Sequence, residues 1–260
     1  MITLQHNPQN KENLCWYTSS IITAPHGMFL RHGGCSTGVY SSLNLSFGTG
    51  DNPERIRINR QRLKANFHIT FLASAVQVHG TKVLCSDEMN GDKEFASADA
   101  LISNQPGVGL LIQQADCQAV LFYDPVQQVI GAAHSGWRGS TENIVAKTVA
   151  AMQRKYDVVP ANIRAVVSPS LGPCCAEFIH AASELPESFF RYQVQPDHFD
   201  FWEISRQQLL QAGIQENNIE LTQQCTACSS DFFSYRRSVK NGQSSTGRNG
   251  SLICLPTIVP

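Results

Sequence analysis

Short apolar runs, separated by turn residues, dominate the middle of the chain. Strands in globular proteins are about five residues long and are commonly bounded by Gly, Pro, Asn or Asp. Most of these runs occur as neighbours along the chain, so we expect them to pair in β-sheets. The predicted strands cover residues 75–78, 82–85, 98–102, 108–112, 119–123, 129–133 and 163–167.

Three other segments have apolar residues at helical spacing. The first starts at Asp51 or Asn52, both good N-cap residues, and continues to Phe67. The second covers residues 140–156 and the third covers residues 202–212. Strands in pairs with a few helices set apart indicate an α+β domain with mixed sheets, not a regular βαβ repeat.

The remaining segments are rich in Gly and Ser. Residues 28–50 are predicted to run from a strand into a long loop. The tail, residues 225–255, is predicted to alternate short strands with Gly-rich turns, with Phe232, Phe233 and Tyr235 alternating along one strand. Because no repeat or low-complexity linker divides the chain, we expect one domain over residues 1–260, with about the first 20 residues as a peripheral extension.

Composition narrows the class of protein. Apolar residues make up 42% of the chain, charged residues make up 16%, and the net charge is −1, which is typical of a folded globular protein. No basic excess favours nucleic-acid binding, and no apolar stretch reaches the roughly 18 residues of a membrane span. We expect a cytoplasmic protein without a nucleic-acid or membrane partner. The lack of a heptad pattern favours a monomer.

Cysteine is abundant in this chain. Nine cysteines are an odd number, so at least one is unpaired within the chain, and in a reducing compartment all would be thiols. Cys225 and Cys228 have the spacing of a metal-binding pair, but no second pair of that spacing accompanies them, which argues against a structural zinc site. Cys174 and Cys175 are predicted to be packed in a tight turn.

Three metal-competent side chains lie at the ends of predicted strands, beside small or turn residues. They are His79, Cys117 and His134. Strand ends meet at one rim of a sheet, so these residues are candidates for one site. Imidazole and thiolate are good zinc ligands, and three protein ligands leave a fourth position for water or substrate. The sequence therefore predicts a catalytic zinc site.

The same residues permit a reading without metal. Cys117 would then be the nucleophile of a cysteine hydrolase, with His134 or His79 as its base. Asp116, beside the thiol, is either a catalytic group that orients a ligand or moves a proton, or a turn residue. No dinucleotide-binding or P-loop glycine motif occurs, which weighs against those enzyme classes.

Arginines in or beside Gly- and Ser-rich loops are candidates for anion recognition, because the guanidinium group binds phosphate in a bidentate manner. We assign this role to Arg31, Arg60 and Arg138, with Arg138 also a candidate catalytic residue; the alternative for each is a solvated surface arginine. Arg236, Arg237 and Arg248 lie in similar loops.

The sequence resembles the YfiH-type laccase-domain family over residues 29–255, which is nearly the whole chain. Members were first described as polyphenol oxidases and later as purine nucleoside phosphorylases. The matching segments are LRHGGCSTGVYSSLNL, GDNPERIRINRQRL, QVHG, ADALIS, PGVGLLIQQADC, AAHSGWRGS, SPSLGPCC, CTAC, FFSYRR and TGR.

The resemblance implies a four-layer α/β/β/α fold of the CNF/YfiH-like cysteine hydrolase type. It implies a zinc ion held by His79, Cys117 and His134. It further implies phosphorolysis of adenosine, guanosine, inosine or methylthioadenosine to free base and sugar phosphate, with adenosine deaminase activity. Departures from the family pattern at Gln118-Ala119, Ser135 and Ala176 bear on substrate preference more than on the metal.

Two alternatives accompany this reading. Two His and one Cys also suit copper, which would make the chain a polyphenol oxidase. A multicopper oxidase needs many more histidines than the eight scattered ones of this chain, so we rank it lower. The other alternative is an editing or binding protein for peptidoglycan precursors.

Overall fold

Two mixed β-sheets form the centre of the protein in a computed structural model, which describes residues 1–6 and 13–257. The strands are β1 (Ile2–His6), β2 (Cys15–Ser19), β3 (His26–Phe29), β4 (Phe71–Ala75), β5 (Val83–Cys85), β6 (Lys93–Phe95), β7 (Ala100–Ser103), β8 (Val108–Gln114), β9 (Gln118–Asp124), β10 (Val129–Ser135), β11 (Arg164–Val167), β12 (Gln193–Gln195), β13 (His198–Phe199), β14 (Ile219–Leu221) and β15 (Asn249–Cys254). The α-helices are α1 (Pro53–Phe67), α2 (Trp137–Thr141), α3 (Ile144–Tyr156), α4 (Ala181–Glu184), α5 (Phe201–Gln211) and α6 (Tyr235–Lys240).

The larger sheet has seven strands in the order β1-β2-β3-β15-β8-β4-β6, and the smaller has six in the order β14-β11-β9-β10-β7-β5. Most neighbours are antiparallel, but β4 is parallel to β6 and β8. In the second sheet β5 is parallel to β7, and β11 is parallel to β14. The α+β class with mixed sheets is therefore confirmed.

The central strands are buried on both faces. Successive side chains of a strand point in opposite directions, so neighbouring residues pack in different apolar clusters. In β8, Leu110 and Ile112 pack in an apolar cluster with Leu121 of β9. Leu111, between them, packs instead with Leu63 of α1. Every residue of β8, β9 and β10 is buried, which explains why these strands read as continuous apolar runs.

The predicted helix over residues 140–156 is wrong at its start. The structure has two helices there, α2 and α3, separated at Glu142 and Asn143. Asn143 has a positive φ of 57°, and its side chain accepts a hydrogen bond from the Ala146 N–H at 3.0 Å. An Asn tolerates this left-handed conformation and caps the new helix, so the chain turns between α2 and α3. The first predicted helix is confirmed, with Asn52 as its cap.

Two strand predictions also need correction. The strand predicted over 75–78 ends at Ala75, and the loop that follows contains His79. The predicted strand with Phe232, Phe233 and Tyr235 is instead a turn followed by α6. Phe232 and Phe233 are buried, whereas Tyr235 is exposed. The chain turns here from the core to the surface, and the spacing of the aromatic residues resembled that of a strand.

The described part of the N-terminal segment contributes β1 and β2, which form one edge of the larger sheet. Across residues 1–6 and 13–257, none of the helices combines the length and the apolar character needed to cross a membrane.

Candidate metal centre

The pairing of β9 with β10 brings Cys117 close to His134. In this antiparallel pair Ala119 is opposite His134, and Gln118 is opposite Ser135. Cys117 directly precedes β9, so it lies beside the end of β10. The register of two central strands therefore fixes two of the three predicted ligands.

The third ligand is positioned by a buried carboxylate that our sequence analysis did not single out. Asp99 directly precedes β7, and its backbone oxygen accepts a 2.7 Å hydrogen bond from the His134 N–H. Its carboxylate accepts hydrogen bonds from the backbone N–H groups of Val78, His79 and Gly80 at 3.3, 2.9 and 2.8 Å. This fixes the turn where His79 has a positive φ of 59°.

The three side chains converge. One ligand atom from each of His79, Cys117 and His134 lies within 4.8 Å of the other two, and the Cys117 Sγ to His79 Nε2 distance is 3.9 Å. His134 Nδ1 is 2.9 Å from Asp99 Oδ1, which leaves Nε2 as the ring nitrogen for a ligand. A carboxylate on the far nitrogen of a ligating histidine is the usual arrangement in zinc sites.

The charges at the site favour a thiolate. Burial opposes ionisation of Cys117, but the charge and hydrogen bond of His134, with a hydrogen bond to His79, lower the pKa of Cys117 to about 6. Burial also opposes the charged form of His134, yet Cys117 and Asp99 raise the pKa of His134 to about 9. A metal ligand must be deprotonated, so Cys117 can bind a cation as a thiolate at neutral pH, whereas the ion would have to displace a proton from His134.

Gly136 leaves the space that a bound ion needs. A Cβ on this residue would lie 2.9 Å from His79 Cδ2 and 3.1 Å from Cys117 Sγ. The donor set suits zinc, and the three donor atoms lie within 4.8 Å of one another, so the residues present fit the implied metal.

Replacement of Gly136 with alanine should therefore lower the affinity of the site for zinc by roughly tenfold or more, because two ligands would be displaced. Gly136 has φ −74° and ψ 172°, which alanine adopts readily, so the effect comes from contact and not from backbone strain. Titration with a competing chelator measures the affinity.

Gly139→Ala is the matched control, since its Cβ would meet only ordinary contacts at 3.4 Å or more. Equal zinc affinity in the Gly136→Ala and Gly139→Ala proteins would contradict the assignment.

A cavity of about 700 Å³ opens beside the three side chains, a volume typical of small-molecule sites. Its wall includes Phe178, Tyr235, Arg138, Arg236 and Arg248. The site is therefore an open pocket with both aromatic and cationic groups.

The predicted arginines are distributed unevenly around this pocket. Arg138 lines it, and its guanidinium lies 4.7 Å from the Trp137 ring centroid. Arg31 bonds the Ser41 carbonyl and stacks on Phe233, and it is not part of the wall.

Arg60 likewise lies outside the pocket wall. It forms a 2.9 Å ion pair with Glu94, and only 11% of its side chain is exposed. The structure places neither Arg31 nor Arg60 in the cavity, because their guanidinium groups hold loops and a helix together. Their assignment to phosphate stays a prediction without support from this geometry.

Asp116 lies at the rim of the site with a positive φ of 84°. Its Oδ1 accepts a 2.7 Å hydrogen bond from the Thr226 hydroxyl, and its Oδ2 accepts one of 2.6 Å from the Arg236 N–H. The two oxygens therefore join the ligand loop to the loop that contains Thr226 and to the first turn of α6. A role in proton transfer stays a prediction.

The expectation that Cys225 and Cys228 have no second cysteine pair beside them is wrong, whereas Cys174 and Cys175 do lie in a turn as predicted. Cys174, Cys175, Cys225 and Cys228 form a second group whose sulfur atoms lie within 4.8 Å of one another. The second pair consists of Cys174 and Cys175, which are adjacent in the chain.

The chain matches a family of known proteins over most of its length. The family model described as multi-copper polyphenol oxidoreductase laccase matches residues 25–256. The chain belongs to the YfiH-type laccase-domain family.

Relatives in this laccase-domain family have been named for an activity. The chain is 34% identical to purine nucleoside phosphorylase YlmD of Geobacillus stearothermophilus over 230 residues, covering 81% of this chain and 84% of that protein. It is 34% identical to purine nucleoside phosphorylase YfiH of Escherichia coli over 239 residues, covering 86% and 91%. The crystal structure of YlmD from Geobacillus stearothermophilus superposes with a TM-score of 0.83 at 26% identity, covering 97% of this chain and 98% of that one.

Asp99 is the residue of this laccase-domain site that we missed from sequence. It stands in the apolar segment ADALI and is completely buried. A carboxylate in an apolar strand needs hydrogen-bond partners, and this could have marked Asp99 as a candidate.

Proposed function

We propose that the protein is a zinc-dependent purine nucleoside phosphorylase, which transfers the sugar of a purine nucleoside from the base to phosphate. The observation that carries the proposal is the convergence of His79, Cys117 and His134 at the floor of an open pocket. The names of relatives that are 34% identical over most of the chain support this activity.

His79, Cys117 and His134 would hold the zinc ion. A zinc ion with three protein ligands would supply a Lewis acid and keep a coordination position for water or substrate. Asp99 orients His134 by accepting its Nδ1–H and fixes the backbone at His79. The protein thus places the ligands before any substrate binds.

Arg138 and Arg248 are the groups best placed to bind phosphate. Both line the cavity. Arg248 Nη1 donates to the carbonyl oxygens of Thr246 and Gly247, at 2.8 and 3.2 Å, which fixes its guanidinium at the pocket. Phosphorolysis needs an anion held near the sugar carbon that exchanges its base for phosphate, and a fixed guanidinium stabilises that anion.

The purine would stack on an aromatic side chain of the wall. Phe178 and Tyr235 both line the cavity, and Tyr235 is 54% exposed. An exposed aromatic ring in a pocket offers a flat apolar surface to a base. We propose adenosine, guanosine and inosine as substrates, with methylthioadenosine cleavage and adenosine deamination as further activities.

Replacing Arg138 with alanine should raise the KM for phosphate by about 10- to 100-fold, the range expected when a hydrogen bond to a charged group is lost. Steady-state kinetics with phosphate as the varied substrate measures this. Arg138→Lys should recover part of the loss, because it keeps the charge but not the bidentate geometry.

Arg57→Ala is the control for Arg138, since Arg57 forms an exposed ion pair with Glu54 on α1. Equal KM values for phosphate in Arg138→Ala and wild type would remove Arg138 from the phosphate site.

The family description favours copper chemistry as a second candidate. The name of the matched family model refers to multi-copper polyphenol oxidoreductases. Among residues 1–6 and 13–257, however, a single potential metal cluster contains histidine. We therefore rank a polyphenol oxidase below the phosphorylase.

The cysteine hydrolase is favoured by a different observation. Cys117, His134 and Asp99 are linked in series, as nucleophile, base and orienting carboxylate are in cysteine enzymes. Without metal, this arrangement would activate the Cys117 thiolate. Metal analysis of active protein separates the two mechanisms.

Incubation of the purified protein with inosine and phosphate, followed by chromatography, tests the proposed reaction. We expect hypoxanthine and ribose 1-phosphate in equal amounts, formed only when phosphate is present. Hypoxanthine formed without phosphate would indicate a hydrolase. Absence of hypoxanthine in protein that contains zinc would favour a peptidoglycan-precursor function.

A further inference from the structure

The second cysteine group joins two loops that are distant in sequence. Cys174 and Cys175 follow β11, whereas Cys225 and Cys228 follow β14. Cys228 Sγ is 3.6 Å from both Cys174 Sγ and Cys175 Sγ, and all four sulfur atoms lie within 4.8 Å of one another.

The spacing of these sulfur atoms suits a tetrahedral ion. A zinc ion binds thiolate sulfur at about 2.3 Å, so two sulfurs on a tetrahedral zinc are about 3.8 Å apart. Two of the observed separations, at 3.6 Å, already approach this value. Four thiolates in a tetrahedron are typical of structural zinc or an iron–sulfur centre.

We propose that Cys174, Cys175, Cys225 and Cys228 bind a second, structural zinc ion. With four protein ligands this site has no open position, unlike the site at Cys117.

The backbone around the cluster is already organised. Ser170 and Cys225 form a parallel bridge, and the Thr226 N–H donates to the Ser170 carbonyl at 2.9 Å. The Gly172 N–H donates to Cys225 Sγ at 3.3 Å, as backbone amides do to metal-bound thiolates. The ligands are thus presented by two paired loops.

A positive charge also supports a thiolate centre. Arg237 Nη1 donates to the carbonyl oxygens of Thr226, Ala227 and Ser229 at 2.7, 3.2 and 2.8 Å. Three carbonyl groups of the loop that contains Cys225 and Cys228 therefore bind one guanidinium group. Its positive charge would partly offset the net negative charge of a zinc ion with four thiolates.

Both loops lead into the pocket. The first loop continues to Phe178 and the second to Tyr235 and Arg236, all in the pocket wall. Thr226, between the two cysteines of the second loop, donates to Asp116 beside Cys117. A second zinc would therefore fix two walls of the pocket relative to the first site.

Zinc analysis of protein purified under reducing conditions tests the proposal. We expect about two zinc ions per chain in wild type, and about one in both Cys228→Ser and Cys117→Ser, because each variant disrupts one site. Cys85→Ser should keep both ions, since Cys85 is also exposed but lies outside the cluster.

A rescue variant guards against loss of fold. Cys228→His should restore the second zinc, because three Cys and one His form a common structural site, whereas a misfolded protein would not recover it. Cobalt bound to the Cys117→Ser protein should give a strong thiolate-to-cobalt absorption. Adding the Cys228→Ser substitution to that protein should abolish this absorption.

Several results would overturn the second site. They are unchanged zinc content in Cys228→Ser, iron with acid-labile sulfide in place of zinc, and a disulfide among these cysteines in freshly purified protein. Failure of the first site is distinguishable, because the second ion would persist in Cys117→Ser.

Discussion

Replacing Cys117 with serine should remove zinc from the His79–Cys117–His134 site and lower the rate of phosphorolysis by more than about 100-fold. Loss of a group that merely supports a ligand typically costs 10- to 100-fold, so loss of a ligand should cost more. Parallel measurement of zinc content and of the rate of hypoxanthine release tests this expectation.

Cys35→Ser is the matched control, because Cys35 is also a half-buried free thiol but lies outside both metal clusters. We expect its zinc content and activity to equal those of wild type. If Cys117→Ser kept its zinc but lost activity, Cys117 would be a nucleophile and not a ligand.

Asp99→Asn should weaken zinc binding by about 10- to 100-fold while the protein still folds. The carboxylate accepts hydrogen bonds from His134 Nδ1 and from three backbone N–H groups. An amide has a single acceptor oxygen, so at least one buried donor would lose its partner, at a cost of about 1–3 kcal/mol.

Zinc affinity and the free energy of unfolding of metal-free protein together measure the effect of Asp99→Asn. Asp124→Asn is the control, since Asp124 is equally buried but lies at the opposite end of β9, where it accepts from the Val126 and Gln127 N–H groups. Asp124→Asn should keep both hydrogen bonds, because both N–H groups donate to Oδ1, and its zinc affinity should equal that of wild type. Loss of zinc affinity in Asp124→Asn as well would show that replacing any buried carboxylate weakens the site, and it would contradict the role of Asp99.

The sequence predicts the central strands of the two sheets well, because β8, β9 and β10 are buried on both faces. Their apolar runs are long and interrupted by clear turns, which leaves no competing helical interpretation. The same strands position Cys117 and His134, so residues at strand ends were sound candidates for one site. Their identity as a metal centre rested on the family resemblance, since spacing across separate segments identifies no metal.

The missed features depend on contacts between distant segments. The bridge between Ser170 and Cys225 unites the four cysteines, and no local spacing reveals it. Arg60 lies on α1, and Glu94 on β6 binds its guanidinium, a contact between segments that are distant in the chain. The break at Asn143 replaced one predicted helix with two, because the local capping of an Asn with positive φ outweighs apolar periodicity.

Removal and return of zinc is the most direct test of the central claim that His79, Cys117 and His134 form a catalytic zinc site for phosphorolysis. Metal-free protein should form no hypoxanthine from inosine and phosphate. Zinc added in stoichiometric amounts should restore the activity in wild type but not in Cys117→Ser, and copper should not replace it. Full activity of the metal-free wild-type protein would contradict the account.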